Sequence, residues 1–116
     1  AKDFGSELIL TFWWGAQRVP ETDVTLFLHV YDAAGQLVAQ GDGYPLAGLF
    51  PPRMWSPGDL VRDVRHVELP PDLGQGSYVV VVGWYDTATA DRLPAFDEGG
   101  DRLPQDAAPV FQFSRP

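Results

Sequence analysis

The two histidines, His29 and His66, are the chain's candidate bases, and neither has metal-ligand spacing. No second histidine stands at i+2 or i+4, where two imidazoles could share one ion. His29 falls inside an alternating apolar stretch. That placement reads as a half-buried, hydrogen-bonded ring rather than a ligand or base. The four serines, Ser6, Ser56, Ser77 and Ser114, all lie outside a G-x-S-x-G nucleophile elbow. Asp91, Asp97, Glu98 and Asp101 make an acidic run without the Asp/Asn ladder and closing Glu of a calcium loop, so it reads as solvated. Asp42, Asp63 and Asp86 could pair as hydrolase carboxylates, but twelve Asp in 116 residues produce such pairs by chance. No G-x-G-x-x-G or P-loop occurs. The expectation is a domain with no catalytic residue, no cofactor and no metal.

The aromatic inventory says more. Four Trp, four Tyr and seven Phe are many for this length. An exposed indole on a sheet can stack on the CH-rich face of a sugar, and Trp13, Trp55 and Trp84 are the candidates. The competing role is filling the space between two sheets.

The elements that must position these residues are strands. Leu8, Leu10, Phe12 and Trp14 share one side of a strand over 7–14, with Ile9, Thr11 and Trp13 on the other. Both sides are largely apolar, so one is expected on the core and the other on a neighbouring segment. A second strand runs over 24–31. Asp32-Ala33-Ala34-Gly35 then reads as a hairpin turn with positive φ at Gly35, followed by a strand over 36–40. Residues 41–58 hold Pro45, Pro51, Pro52 and Pro57, which excludes a central strand. They also hold Tyr44, Leu46, Leu49, Phe50, Met54 and Trp55, so this loop is expected to pack down as a compact connector. Strand character returns over 60–69 and 77–85, where the run Val79 to Val82 suits a central strand covered on both faces. Residues 92–96 read as a short edge strand and 110–113 as the last strand. Tyr78, just past Gly74 and Gly76, looks like a tyrosine corner. No twelve-residue stretch free of Pro and Gly keeps helical periodicity. The fold class is therefore all-β: an immunoglobulin-like antiparallel sandwich of about seven strands, in one domain.

Bulk properties narrow the partners. Acidic side chains outnumber basic ones 16 to 8, for a net charge of -8. Such a surface repels nucleic-acid phosphates and anionic lipid headgroups. There is no Cys, which excludes disulfides, zinc-thiolate sites and a thiol nucleophile. No apolar run approaches the ~20 residues that span a bilayer, and no signal-peptide pattern is present.

Several segments together resemble a bacterial domain. They are Gly5 to Ala16 with Trp14 and Ala16, Phe27-Leu28-His29-Val30, Asp32 to Pro45 with its Asp42-Gly43-Tyr44-Pro45 exit, and Trp55-Ser56-Pro57-Gly58-Asp59 followed by Asp63. Gly76-Ser77-Tyr78, Val82-Gly83-Trp84-Tyr85-Asp86 and Arg92-Leu93-Pro94 complete the set. The chain is similar in these to β-sandwich modules attached to multi-spanning, dolichyl-phosphate-mannose mannosyltransferase-like membrane proteins. It departs from them at Trp84, where Leu is usual, and in an N-terminus that begins late, as if a first edge strand were missing. The resemblance implies a non-catalytic accessory module, extracytoplasmic and tethered to the membrane through the rest of its chain. Its partners would be that membrane-embedded part and a glycan or lipid-linked sugar, with no nucleic acid. His29, Asp42 and Asp63 recur in the pattern among apolar strand residues, and are expected to form a structural hydrogen-bonded cluster that fixes the proline-rich loop to the sheet. The alternatives are a carbohydrate-binding or adhesive module acting alone and an independent hydrolase.

Overall fold

The computed structural model describes residues 2–3, 7–15, 22–42 and 55–115, the first pair as backbone alone. The alternating stretches become strands β1 (Lys2–Asp3), β2 (Glu7–Gly15), β3 (Val24–Asp32), β4 (Leu37–Gln40), β5 (Leu60–Glu68), β6 (Gly76–Asp86) and β7 (Ala108–Arg115). Six of these have four residues or more, and β1 has two. They form two antiparallel sheets, one ordered β1-β2-β5 and the other β4-β3-β6-β7. The chain is all-β and sandwich-like. Among the described residues no helix is long and apolar enough to cross a membrane.

Period-two alternation builds the core, because successive side chains leave opposite faces of a strand. Leu8 and Leu10 from β2 and Val67 from β5 meet Leu26, Leu28 and Val30 from β3, Val80 and Val82 from β6, and Phe113 from β7. Each such side chain contributes roughly 1.5–3 kcal/mol by leaving water. Val79 and Val81 point the other way and are half-buried, so β6 is internal to its sheet but only partly covered outside.

Turn chemistry fixes the register. Asp32 Oδ1 accepts from Ala34 N and Gln36 N, both at 2.9 Å, and Gly35 takes φ 80°. A bulge between Val30 and Tyr31 lets both Val38 and Ala39 pack on the core. Pro109, which has no ladder donor, sits on edge strand β7 beside a second bulge. The expected edge strand over 92–96 is instead two isolated bridges, Tyr85 with Arg92 and Phe96 with Arg102, within a segment that folds back over the sheet.

The tyrosine corner is present. Tyr78 Oη donates to the Gly74 carbonyl at 2.6 Å, closing the β5–β6 connection over the core, with the ring stacked on Phe113. Tyr78→Phe removes the donor and strands that carbonyl. The expected loss is about 1–3 kcal/mol, read from the urea midpoint at unchanged slope. A shift indistinguishable from zero would mean that water replaces the phenol.

The proline-rich loop is described at its two ends. Gly41 N donates to the Leu28 carbonyl at 2.9 Å. Ser56 N donates to Asp59 Oδ2 and Asp59 N to the Ser56 carbonyl, a turn completed by Gly58 at φ 89°. Trp55 is buried. Tyr44, Leu46, Leu49, Phe50 and Met54 lie outside the described residues.

Candidate functional site

Alternation along β3 sends Phe27, His29 and Tyr31 to the outer face of the four-stranded sheet. The imidazole lies between its neighbours, with ring centroids 5.1 Å from Phe27 and 5.9 Å from Tyr31. Its Nδ1 is 3.1 Å from Tyr31 Oη, and its Nε2 is 3.5 Å from Asp42 Oδ1. Asp42 stands just beyond the end of β4, where the ladder stops. There its Oδ1 takes the place of a strand carbonyl, accepting from Leu28 N at 3.1 Å. Both imidazole nitrogens thus have partners within the fold.

Burial lowers the His29 pKa below its ordinary 6.5, outweighing the facing Asp42 carboxylate, which raises it; Arg92 adds to the lowering. The folded state therefore favours the neutral ring. The stability this represents is fully present above the unfolded pKa of about 6.5 and is lost as pH falls through the folded value. Wild type is expected to lose stability more steeply than His29→Gln on acidification below that point. Parallel melting-temperature profiles for the two would refute this.

Asp63 is placed differently. It points into the sandwich from β5 and is 1% exposed. Its Oδ2 accepts from Trp14 Nε1 at 3.0 Å and from Arg65 Nε at 2.8 Å. Arg65 lies two residues along the same inward face, and its Nη1 reaches the Gly41 carbonyl at 3.4 Å. The structure brings His29 and Asp42 into one pair. It ties Asp63 to the neighbourhood of Asp42 through Arg65, from the opposite sheet. Tyr31, Trp14 and Arg65 were missed in the sequence, although Tyr31 and Arg65 sit at i+2 from named residues and so had to share their faces.

The three candidate tryptophans part company. Trp55 is 4% exposed and packs edge-on against Trp84 at 6.2 Å. Trp84 is half-buried and also meets Trp14 edge-on at 5.1 Å, while Trp14 stacks on Phe12. These rings form a continuous aromatic cluster beside Asp63, which removes Trp55 and Trp84 as open stacking platforms. Trp13 points outward from the three-stranded sheet and is 58% exposed.

Two further acids shape turns. Asp86 Oδ1 accepts from Ala88 N and Thr89 N, and Asp97 Oδ1 from Gly99 N and Asp101 N. Among the described residues, no group of three or more His, Cys, Asp or Glu could hold a metal ion. Asp106 anchors the fold-back segment by accepting from Arg102 Nε and Nη2 and from Ala95 N. The Arg102 bonds and then the Ala95 N–H hold its carboxyl at about 2. A hollow of 510 Å³ lies by the β3–β4 turn, lined in part by Asp32, Asp72, Leu73 and Tyr78. The Asp32 carboxylate and the Tyr78 hydroxyl in it already serve the turn and the corner.

No family model, curated protein or solved structure matches the chain.

Proposed function

We propose that this chain is an immunoglobulin-like, non-catalytic accessory module of a membrane-bound, glycosyltransferase-like protein, held outside the cytoplasm. The observation that carries the non-catalytic part is where the polar residues go. His29 is enclosed by Tyr31 and Asp42, and Asp63 is bonded inside the sandwich by Trp14 and Arg65. These groups hold strands and loop ends together, which is the work of a scaffold.

The immunoglobulin-like part is supported by strand order. Counting the short β1, seven strands in sheets β1-β2-β5 and β4-β3-β6-β7 follow the arrangement A-B-E and C′-C-F-G, with the tyrosine corner opening the sixth. The membrane parentage rests on the resemblance of the strand and turn motifs. It is tested by the full-length gene product: transmembrane helices immediately upstream are expected, and an alkaline phosphatase fused in place of the module should be active. Absence of such helices overturns it.

A second reading, a carbohydrate-binding module, is favoured by one observation, the exposed Trp13. A glycan array probed with wild type and Trp13→Ala tests it. Binding should depend on the indole.

A further inference from the structure

We propose that the outer face of the three-stranded sheet holds a subsite for an anionic sugar, with Trp13 as the stacking wall and Arg62 as the charge partner. This rests on the carbohydrate-binding reading and names its ligand class.

Strand register assembles the site. Trp13 on β2 stands directly opposite Arg62 on β5, and Gly15 stands opposite Leu60. Directly opposed residues project to the same face with Cβ atoms about 5 Å apart. Trp13 and Leu60 are 58% and 67% exposed, and Arg62 is exposed as well. Gly15 has no side chain, so it leaves a shelf between Trp13 and Leu60. Among the described residues, a Cβ there would meet only the Asp59 carbonyl, at 3.5 Å. A pyranose ring laid on this shelf has an indole beside its CH face, Leu60 at its rim and a guanidinium within reach of a ring substituent. Thr11, two residues from Trp13 on the same exposed face, offers a hydroxyl to the next ring.

Charge selects the ligand. Among the described residues, Arg65 pairs with Asp63 and Arg102 with Asp106, and Arg92 lies over the Phe27 ring. Neither Trp13 nor Arg62 makes a hydrogen bond, ion pair or ring contact among the described residues. Among the described strand residues, the acids of this outer face, Glu7 and Glu68, lie opposite each other at the far end of the β2–β5 ladder, where Glu7 meets His66. A guanidinium with no partner among the described residues, beside an exposed indole, complements a ring carrying a carboxylate or phosphate, since arginine binds both through paired N–H donors. The net charge of -8 opposes long-range steering of such a ligand, so selection works through contact.

Titration calorimetry of the 116-residue chain tests this with trigalacturonic acid, its neutral methyl ester and galactose 1-phosphate. An acid bound about tenfold or more tighter than the ester is expected, from one charge-assisted contact. Arg62→Gln should erase that preference, and Trp13→Ala should abolish binding of both forms. Both residues are exposed, so both variants should melt as wild type does. Tighter binding of galactose 1-phosphate than of the triuronide, again dependent on Arg62, supports the same site with a phosphorylated sugar as its source. Equal affinity for acid and ester, unchanged in Arg62→Gln, overturns the anionic class while leaving Trp13 as a sugar platform. Binding of none of the three overturns the inference. If the glycan array is also blank, the carbohydrate reading falls with it. Self-association that Trp13→Ala abolishes, without sugar binding, makes this face a protein interface and overturns it too.

Discussion

Asp63→Ala is expected to cost about 3–5 kcal/mol of folding stability, the range for breaking a buried ion pair from one side. The carboxylate is 1% exposed and accepts from both Trp14 Nε1 and Arg65 Nε. Removing it leaves the Arg65 guanidinium, its side chain 11% exposed, facing an apolar interior without that counter-charge. It also leaves an indole N–H without this acceptor inside an aromatic cluster. Domains of this size are stable by about 5–15 kcal/mol, so the variant should be marginal at 37 °C. The double replacement Asp63→Leu with Arg65→Met removes both charges and should recover the part of the loss that comes from the uncompensated guanidinium, though not the part that comes from the Trp14 N–H. Urea midpoints for Asp63→Leu, Arg65→Met and their combination close a thermodynamic cycle. A loss below about 1 kcal/mol in Asp63→Ala would place the pair among solvated surface bridges.

Gly83→Ala is expected to cost about 1–3 kcal/mol, and Gly83→Val as much or more, by overpacking. Gly83 on β6 pairs with Phe27 on β3, and the phenyl ring lies across the space that a side chain would need. A Cβ would collide with the Phe27 ring and stand 2.6 Å from the Asp106 carbonyl. Neither neighbour yields cheaply. Phe27 is 1% exposed with the Arg92 guanidinium 4.2 Å above its ring. Asp106 follows Gln105 in the left-handed region, at φ 55° and 57°, and is clamped by Arg102. The fold-back segment over 91–106 should therefore lift before the sheets separate. Limited proteolysis within that segment, faster in Gly83→Ala than in wild type under native conditions, is the distinguishing readout. Unchanged cleavage and an unchanged melting temperature would show that the segment does not depend on its seat over Gly83.

The candidate site was legible to different depths. His29 as a half-buried, bonded ring followed from its place in an apolar strand. Its partner Asp42 came from the motif pattern. That Asp63 belongs to the interior was available as a departure from apolar alternation, since Val61, Asp63, Arg65 and Val67 occupy one inward face. The fold-back segment left no such signal. Its contacts join Arg92 to Phe27 and Asp106 to Gly83, far apart in sequence, and it has no period to detect.

The sequence alone was enough for strands β2 to β7, but not for the two-residue β1, and the strand it suggested over 92–96 did not form. The boundaries of those six moved by two residues at most, because alternation, Pro and Gly are local signals, and local geometry obeys them. It also located the hairpin at Asp32–Gly35 and the corner at Tyr78, where a particular residue type is needed for a particular backbone. It could not decide which side of a two-sided apolar strand would be covered. Trp13 and Trp14 are adjacent, and alternation says only that they face apart. The tertiary structure turned Trp14 inward onto Asp63 and Trp84, and left Trp13 in water beside Arg62. That choice depends on which sheet packs against which, a property of the assembled sandwich and of no single strand.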